Sequence, residues 1–311
     1  MWTVYLFLLV GIVILFLSGK YLVDSSVVLS RHLRIPRAII GLTVVAFGTS
    51  APELLVSVQA AMAGFPEIAM GNVVGSNLSN ILLVLALTAL IFPISVSRSS
   101  VRTDWPMMMG VSLLLFLFVL NGNLARWEGL VLMAILAAYI VFSVKQARAG
   151  MRLQKAEDEP PSMRVGVAIL IFLVSCAGLA FGADLLVDNA AVIAEELGIS
   201  RRVISVSMVA VGTSIPEVAT SVIAAFKKET DISVGNIIGS NIMNILSVLG
   251  ITAVIAPVGV DRAIALFDIP WMLGASLLLL FLMLPAARSR IDRWEGVLMI
   301  LVYLLYLYLI F

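Results

Sequence analysis

Cysteine and histidine are almost missing from this chain of 311 residues, which has one of each, Cys176 and His32. A single cysteine excludes an intrachain disulfide and a cysteine-based metal cluster, and zinc or copper would favour more of these ligands. Cys176 lies in an apolar run, where a small buried side chain is expected. The sequence also lacks a P-loop, an HExxH motif and a nucleophile elbow, so neither ATP drive nor an enzyme is expected.

Charged residues are scarce as well. They make up 13% of the chain against 61% hydrophobic residues, and the mean hydropathy is +1.11. No soluble globular domain needs this composition, whereas a membrane-spanning helix needs roughly 20 apolar residues. The sequence therefore predicts an all-α polytopic membrane protein in a lipid bilayer, whose first span is interpreted as a retained helix because no small-residue cleavage site follows it. Ten spans are predicted, at 3–23, 38–62, 67–92, 105–121, 127–144, 165–187, 202–225, 232–256, 266–284 and 294–311.

Lysine and arginine are unevenly distributed between the predicted loops. Fifteen fall in the loops after odd-numbered spans and four in the loops after even-numbered spans. The positive-inside rule then places the odd loops in the cytoplasm and both termini outside the cell. A polar linker at 147–163, with a Glu-Asp-Glu-Pro-Pro run, is cytoplasmic by the same argument. No nucleic-acid partner and no obligatory protein partner is expected.

The pattern GTSxPE occurs twice, at Gly48–Glu53 and Gly212–Glu217, and the copies lie 164 positions apart. The same offset aligns further polar residues, which chance similarity between apolar helices would not preserve. The chain is therefore interpreted as a first five-helix repeat at 1–146, the linker at 147–163, and a second five-helix repeat at 164–311. Because five is odd, the second repeat enters the membrane in the opposite sense, and inverted repeats are typical of secondary transporters with a mid-membrane binding site. The further aligned pairs are Asp24 with Asp188, Asn72 with Asn236, Ser76 with Ser240, Asn77 with Asn241, Asn80 with Asn244 and Asp104 with Asp268.

Each GTSxPE copy predicts a helix break beside a carboxylate. Pro52 has no N–H and its ring clashes with the carbonyl of Gly48, so the helix is expected to break there and free carbonyl oxygens near Thr49. In hydrocarbon these oxygens need a partner, and a bound cation is one. Thr49 and Glu53 are four residues apart and share a helical face, with Ser50 at its border. Thr213, Ser214 and Glu217 repeat the arrangement.

Spans 3 and 8 contain a second doubled block, GNVVGSNLSN at 71–80 and GNIIGSNIMN at 235–244. Ser76 and Asn80 share a helical face, as do Ser240 and Asn244. Direct ligation and a hydrogen bond between helices are both open for these four residues. The glycines of the blocks allow neighbouring helices to approach closely, and Asn72 and Asn236 are interpreted as structural.

All of these groups offer oxygen, which suits a hard cation such as Ca²⁺ with roughly 6–8 oxygen ligands. Two ionised glutamates would neutralise one Ca²⁺ or two Na⁺. For one copy alone, a structural kink or a buried ion pair is the alternative, but no intramembrane Lys or Arg is placed to neutralise both glutamates. The predicted ligands are Glu53, Glu217, Thr49, Thr213, Ser50, Ser214, Ser76, Ser240, Asn80 and Asn244.

The doubled GTSxPE and GNxxGSN blocks, in two halves of five spans, resemble the repeats of the cation/Ca²⁺ exchanger superfamily, and most of all its prokaryotic sodium/calcium exchanger branch. The resemblance covers essentially the whole chain. It implies that spans 1 and 6 slide against a core of the other eight, and that the motif glutamates bind Ca²⁺ and Na⁺ in turn, with help from the other eight predicted ligands. Some prokaryotic relatives have Asp at the position of Asn244, so this site has two titratable groups rather than three.

The resemblance thus implies a Na⁺/Ca²⁺ antiporter that works by alternating access, with Ca²⁺ and Na⁺ as transported ions and no cofactor. Net charge would move if more than two Na⁺ exchange for one Ca²⁺. Protons are expected to compete for the two buried carboxylates, so acid should inhibit. A H⁺/Ca²⁺ antiporter of the same superfamily and, from another class, a passive cation channel remain as alternatives.

Overall fold

The computed structural model describes residues 2–151, 163–197, 212–284 and 290–310. In these ranges, eight helices are long and apolar enough to cross a membrane, and one bent pair makes a ninth span. The predicted all-α polytopic membrane architecture is confirmed. The helices are α1 Trp2–Leu33, α2 Arg37–Thr49, α3 Ala51–Met62, α4 Ile68–Ile91, α5 Ser100–Val119, α6 Arg126–Met151, α7 Val165–Glu196, α8 Ile215–Phe226, α9 Thr230–Ile255, α10 Ile264–Met283 and α11 Arg293–Ile310.

The first helix of each repeat, α1 or α7, is much longer than predicted. Both have 32 residues, which at about 1.5 Å per residue exceeds the roughly 30 Å of bilayer hydrocarbon. The spans predicted at 3–23 and 165–187 ended just before Asp24 and Asp188, but no proline or glycine follows to stop either helix there. The two helices pack directly on each other, and a Cβ atom added at Gly11 of α1 would lie 3.1 Å from the carbonyl oxygen of Gly182 in α7.

Span 2 breaks where the GTSxPE pattern predicted. Helix α2 ends at Thr49, α3 begins at Ala51, and their axes differ by 42°. Ser50 between them has φ −84° and ψ 8°, outside the helical range. Pro52 occupies the first turn of α3, where its missing N–H costs no hydrogen bond. Ser214 and Pro216 occupy the matching positions at the start of α8.

Span 7 is described only in its second part, α8, because the residues 202–211 of the predicted span lie outside the described ranges. The predicted linker at 147–163 is also described only in part. Its first residues continue α6 as far as Met151, and residues 152–162 are not among those described.

Within the described ranges, four short strands connect the two halves in a symmetric way. The strand β1 (Ile94–Ser95) pairs antiparallel with β4 (Arg290–Ile291), and β2 (Asn123–Leu124) pairs antiparallel with β3 (Val258–Gly259). The 164-residue offset relates β1 to β3, and an offset of 167 relates β2 to β4, so one pair is the image of the other.

The core of the molecule is formed by α4 and α9, which carry the GNxxGSN blocks. In α9 the glycines allow the backbone of α2 to pack directly against the helix. A Cβ atom at Gly235 would lie 2.5 Å from the carbonyl oxygen of Ala38, and one at Gly239 would overlap the carbonyl oxygen of Leu42. Since α2 ends at Thr49, this close approach sets the position of the helix break relative to α9.

Two ion pairs connect elements at the end of the molecule that the arginine and lysine count places in the cytoplasm. Lys227, just after α8, pairs with Asp24 of α1. Arg37, at the start of α2, binds Glu229, with 2.6 Å between Nη1 and Oε2. Both pairs join the two halves of the chain.

Candidate cation site

Glu53 and Glu217 lie in the first turns of α3 and α8, immediately after the two prolines. Both residues are fully buried, with 0% of their surface exposed. Their carboxylates are close enough to repel each other. Neither forms an ion pair with any cationic side chain in the described part of the chain, so the two carboxyl groups lie together without a protein counter-charge.

Hydroxyl groups from both halves surround Glu217. Ser50 Oγ donates to Glu217 Oε1 over 3.3 Å, and Ser240 Oγ donates to the same oxygen over 3.4 Å. Ser240 also lies 3.4 Å from Thr49, measured between Oγ and Oγ1. The first GTSxPE copy therefore contacts the carboxylate of the second.

An equivalent contact joins Ser76 of α4 with Thr213. Ser76 Oγ and Thr213 Oγ1 are 3.2 Å apart. This pair matches Ser240 and Thr49 under the 164-residue offset. The hydroxyl of Thr213 lies near the Glu53 carboxylate.

Several buried oxygen atoms in this cluster accept no hydrogen bond. Each buried acceptor without a partner costs about 1–3 kcal/mol, and a charged one costs more. A cation bound among these atoms would provide the missing partner for each of them, so the donor set fits a hard cation. The atoms are Glu53 Oε1, Glu53 Oε2, Glu217 Oε2, Asn80 Oδ1, Asn244 Oδ1 and Ser214 Oγ.

All ten predicted ligands fall within the described residues. Nine of them are at most 3% exposed, and Thr213 is partly buried. Seven are linked to each other or to the carboxylates by the contacts above, and Ser214 is adjacent to Thr213 in the chain. Asn80 and Asn244, on α4 and α9, donate their amides to Asn241 and Asn77, and their carbonyl oxygens are buried without a hydrogen bond.

Asn72 and Asn236 have the structural role that was expected. Asn72 Nδ2 donates to the backbone carbonyl of Glu53 over 3.2 Å and to Ser57 Oγ over 3.0 Å. Asn236 Nδ2 makes the matching bond to Ser221 Oγ over 3.1 Å. Each asparagine thus fixes the helix that follows a break against the core helix beside it.

Besides Asn72 and Asn236, two more residues outside the predicted ligand set contact it. Asn77 and Asn241 accept hydrogen bonds from the amides of Asn244 and Asn80, over 3.1 Å and 3.4 Å. Their recurrence at the 164-residue offset was the signal that could have identified them.

A cavity of about 130 Å³ leads away from the cluster. It is lined by Thr213 and by the two prolines of the doubled motif, and Asp184 and Asp188 of α7 lie along it. The cavity therefore lies between Thr213, at the edge of the oxygen cluster, and the carboxylate-bearing residues of α7.

Comparison with known proteins decides the family. The sequence matches the family described as "Sodium/calcium exchanger protein" over residues 3–145 and 167–311, which are nearly the whole chain. The chain belongs to the sodium/calcium exchanger family.

Relatives that match along nearly the whole chain include bacterial and archaeal proteins. It is 36% identical to the inner membrane protein YrbG of Escherichia coli over 94% of this chain and 92% of that one. It is 32% identical to the sodium/calcium exchanger MaX1 of Methanosarcina acetivorans over 99% and 98% of the two chains. A solved structure of the sodium-calcium exchanger NCX_Mj superposes with a TM-score of 0.83 at 30% identity, over 98% of each chain. The exchanger therefore belongs to the prokaryotic branch of a family of Na⁺/Ca²⁺ exchanger-type antiporters.

Proposed function

We propose that this exchanger is a Na⁺-driven Ca²⁺ antiporter whose single ion site lies between Glu53 and Glu217. The observation that supports it best is the pair of fully buried carboxylates, which are close enough to repel each other, each in the first turn of a helix and each from a different half of the chain. A divalent cation or two sodium ions would remove the repulsion and supply partners for the free oxygens.

The two ions are substrates that compete for one set of oxygens. Ca²⁺ bridges both carboxylates, and Na⁺ ions that enter the same cluster displace it. Since Ser50 and Ser240 both donate to Glu217, they hold that carboxylate in place while the cation changes. Exchange of more than two Na⁺ for one Ca²⁺ would carry net charge and make Ca²⁺ extrusion depend on the membrane potential.

The site opens to one side at a time in this proposal. The cavity beside Thr213 and α7 is the route from the outer side. The outer assignment follows the positive-inside rule, which places the loop after span 6 and both termini outside. On the opposite side, Lys227–Asp24 connects the end of α8 with α1, and Arg37–Glu229 connects α2 with the start of α9.

The decisive experiment is Ca²⁺ uptake into proteoliposomes that contain the purified protein. Vesicles loaded with Na⁺ are diluted into Na⁺-free buffer with radioactive Ca²⁺, and a second set without a Na⁺ gradient serves as control. We expect uptake only with the gradient, and a potassium diffusion potential should change its rate if exchange is electrogenic. Uptake that is indifferent to the Na⁺ gradient would refute sodium coupling.

The same vesicles separate the alternatives. A pH gradient in the absence of Na⁺ would drive uptake by a H⁺/Ca²⁺ antiporter. A passive channel would let Ca²⁺ equilibrate without any counter-ion. Two buried carboxylates argue against a channel, because they would bind Ca²⁺ tightly and slow its exit.

A further inference from the structure

Two chains of side-chain amides lie beside the ion cluster, and each one crosses between the halves of the protein. In the first, Asn244 Nδ2 donates to Asn77 Oδ1 over 3.1 Å, and Asn77 Nδ2 lies 3.6 Å from Met272 Sδ. In the second, Asn80 Nδ2 donates to Asn241 Oδ1 over 3.4 Å, and Asn241 Nδ2 lies 3.5 Å from Met108 Sδ. The 164-residue offset converts one chain into the other at every step.

We propose that Asn77 and Asn241 are positioning residues, which fix the side-chain amides of Asn244 and Asn80 so that each presents its carbonyl oxygen to the transported cation. This inference rests on the proposed ion site and adds the groups that orient two of its ligands. Neither Asn77 nor Asn241 touches the cation itself.

The orientation of an asparagine amide matters because its two ends have opposite character. The oxygen accepts, whereas the NH₂ group only donates and would repel a cation. The two ends have nearly the same size, so packing alone does not choose between them. A hydrogen bond from the NH₂ group to a fixed acceptor does choose, and it leaves the oxygen free on the other side. The oxygens Asn80 Oδ1 and Asn244 Oδ1 are indeed buried and free of hydrogen bonds.

The orientation of Asn77 is in turn fixed by groups that cannot donate. Its NH₂ group faces the backbone carbonyl of Asn241, over 3.3 Å, and the thioether of Met272. A carbonyl and a thioether only accept, so the NH₂ end of Asn77 must lie on that side and its oxygen must face Asn244. The thioether of Met108 orients Asn241 by the same rule. The direction of every bond in the two chains follows from these acceptors.

Burial makes the orientation of these amides important for Ca²⁺ affinity. The four asparagines and the two methionines are each at most 1% exposed, so water does not compete for their amides. Groups that orient metal ligands typically contribute about 10- to 100-fold to metal affinity. We expect Asn77→Leu and Asn241→Leu each to weaken Ca²⁺ binding by about that factor, since leucine keeps the volume and removes the acceptor.

The test measures Ca²⁺ affinity by the Ca²⁺-dependent rise in the melting temperature of the purified full-length exchanger, with no ion gradient. Asn77→Leu is compared in the wild-type background and in Asn244→Asp. A carboxylate offers an oxygen in either rotation, so the acceptor on Asn77 should matter little in the Asn244→Asp background. In that background Asn77→Leu should lower the Ca²⁺ affinity by less than about threefold. Thr252→Val in α9, which is also fully buried, is the control and should leave the affinity unchanged.

The results of these experiments distinguish a positioning role from a general structural effect. An equal loss of affinity from Asn77→Leu in both backgrounds would mean a general structural effect and would overturn the proposal, as would an unchanged affinity in the wild-type background. If Asn77→Leu and Asn241→Leu do not fold, Met272→Leu and Met108→Leu are used instead, because they remove the thioether acceptors of Asn77 and Asn241 at nearly constant volume. An unchanged Ca²⁺ affinity in both methionine variants would also overturn the proposal. If sodium coupling fails, these Ca²⁺-binding measurements still test the positioning role. A wild-type protein that Ca²⁺ does not stabilise would refute the positioning role together with the proposed ion site.

Discussion

Ser50 Oγ, in the first GTSxPE copy, donates a hydrogen bond to Glu217 Oε1, in the second, over 3.3 Å. The two residues are 167 positions apart in the chain and both are buried. This bond brings the two copies of the motif into one cluster, and the predictions below depend on that cluster being the place where ions bind.

Removing either buried carboxylate charge should abolish Ca²⁺ transport. Glu53→Gln or Glu217→Gln leaves a site with one charge, which cannot neutralise a divalent ion in a medium that excludes water. Both variants should therefore show no Na⁺-driven Ca²⁺ uptake in proteoliposomes, although their expression and melting temperature without ions should be at least those of the wild type.

The chain offers two matched controls for this experiment. Glu128 and Glu295 are 3% and 4% exposed, and each accepts a backbone N–H at the start of α6 or α11. Glutamine keeps that acceptor, so Glu128→Gln and Glu295→Gln should transport Ca²⁺ normally. Wild-type exchange in Glu53→Gln or Glu217→Gln would refute the shared site.

Ser240→Ala should raise the KM for Ca²⁺ by about tenfold, because hydrogen bonds to charged groups contribute roughly 1.5–3 kcal/mol. Ser240 donates to Glu217 and contacts Thr49, so its loss affects both halves of the cluster. Ser112→Ala is the control, since that buried hydroxyl bonds only a carbonyl of its own helix. A KM shift of the same size in both variants would argue against a specific role for Ser240.

Gly239→Ala should impair exchange even though glycine binds no ion. Its new Cβ atom would overlap the carbonyl oxygen of Leu42 and push α2 away from α9, which displaces Thr49 from Ser240. We expect a fall in Ca²⁺ affinity and in thermal stability. Gly110→Ala, at an exposed position of α5, should have no effect. Normal exchange in Gly239→Ala would mean that the position of the break does not depend on this contact.

The ion pair between Lys227 and Asp24 should have only a small effect on transport. The two side chains are 27% and 44% exposed, and pairs of this kind contribute about 0–1 kcal/mol. Asp24→Asn should change the exchange rate by less than about fivefold at low salt, and by less still at high salt because ions screen the pair. The exchanged pair Asp24→Lys with Lys227→Asp should restore the wild-type rate. A larger loss that salt does not reduce would assign Asp24 a direct role in ion passage.

The predicted orientation can be tested by labelling in whole cells. In a Cys176→Ala background, Asn121→Cys in the loop after α5 should react with a membrane-impermeant maleimide from outside. Ser99→Cys, in the loop before α5, should react only after the cells are permeabilised. Both positions are exposed, so the reverse pattern would place the termini in the cytoplasm.

Much of the architecture could be predicted because membrane helices follow simple constraints. The break at Ser50 was predicted from the proline of the motif, and the observed bend of 42° confirms it. The ends of α1 and α7 were predicted too early, because charged residues such as Asp24 were treated as the end of a span although they do not stop a helix. Sequence spacing also placed Ser76 and Asn80 on one face, but spacing on a single helix does not reveal partners on another, and Asn77 was missed for that reason.

The sequence alone determined what the site is made of. Its low charge requires a bilayer, its doubled motif requires two similar halves, and its oxygen-bearing side chains select hard cations over soft ones. Only the tertiary structure decided how these groups meet. The contact of Ser50 with Glu217, and the amide chains that end on Met108 and Met272, depend on how the two halves pack against each other, and the order of residues within either half does not encode that packing by itself.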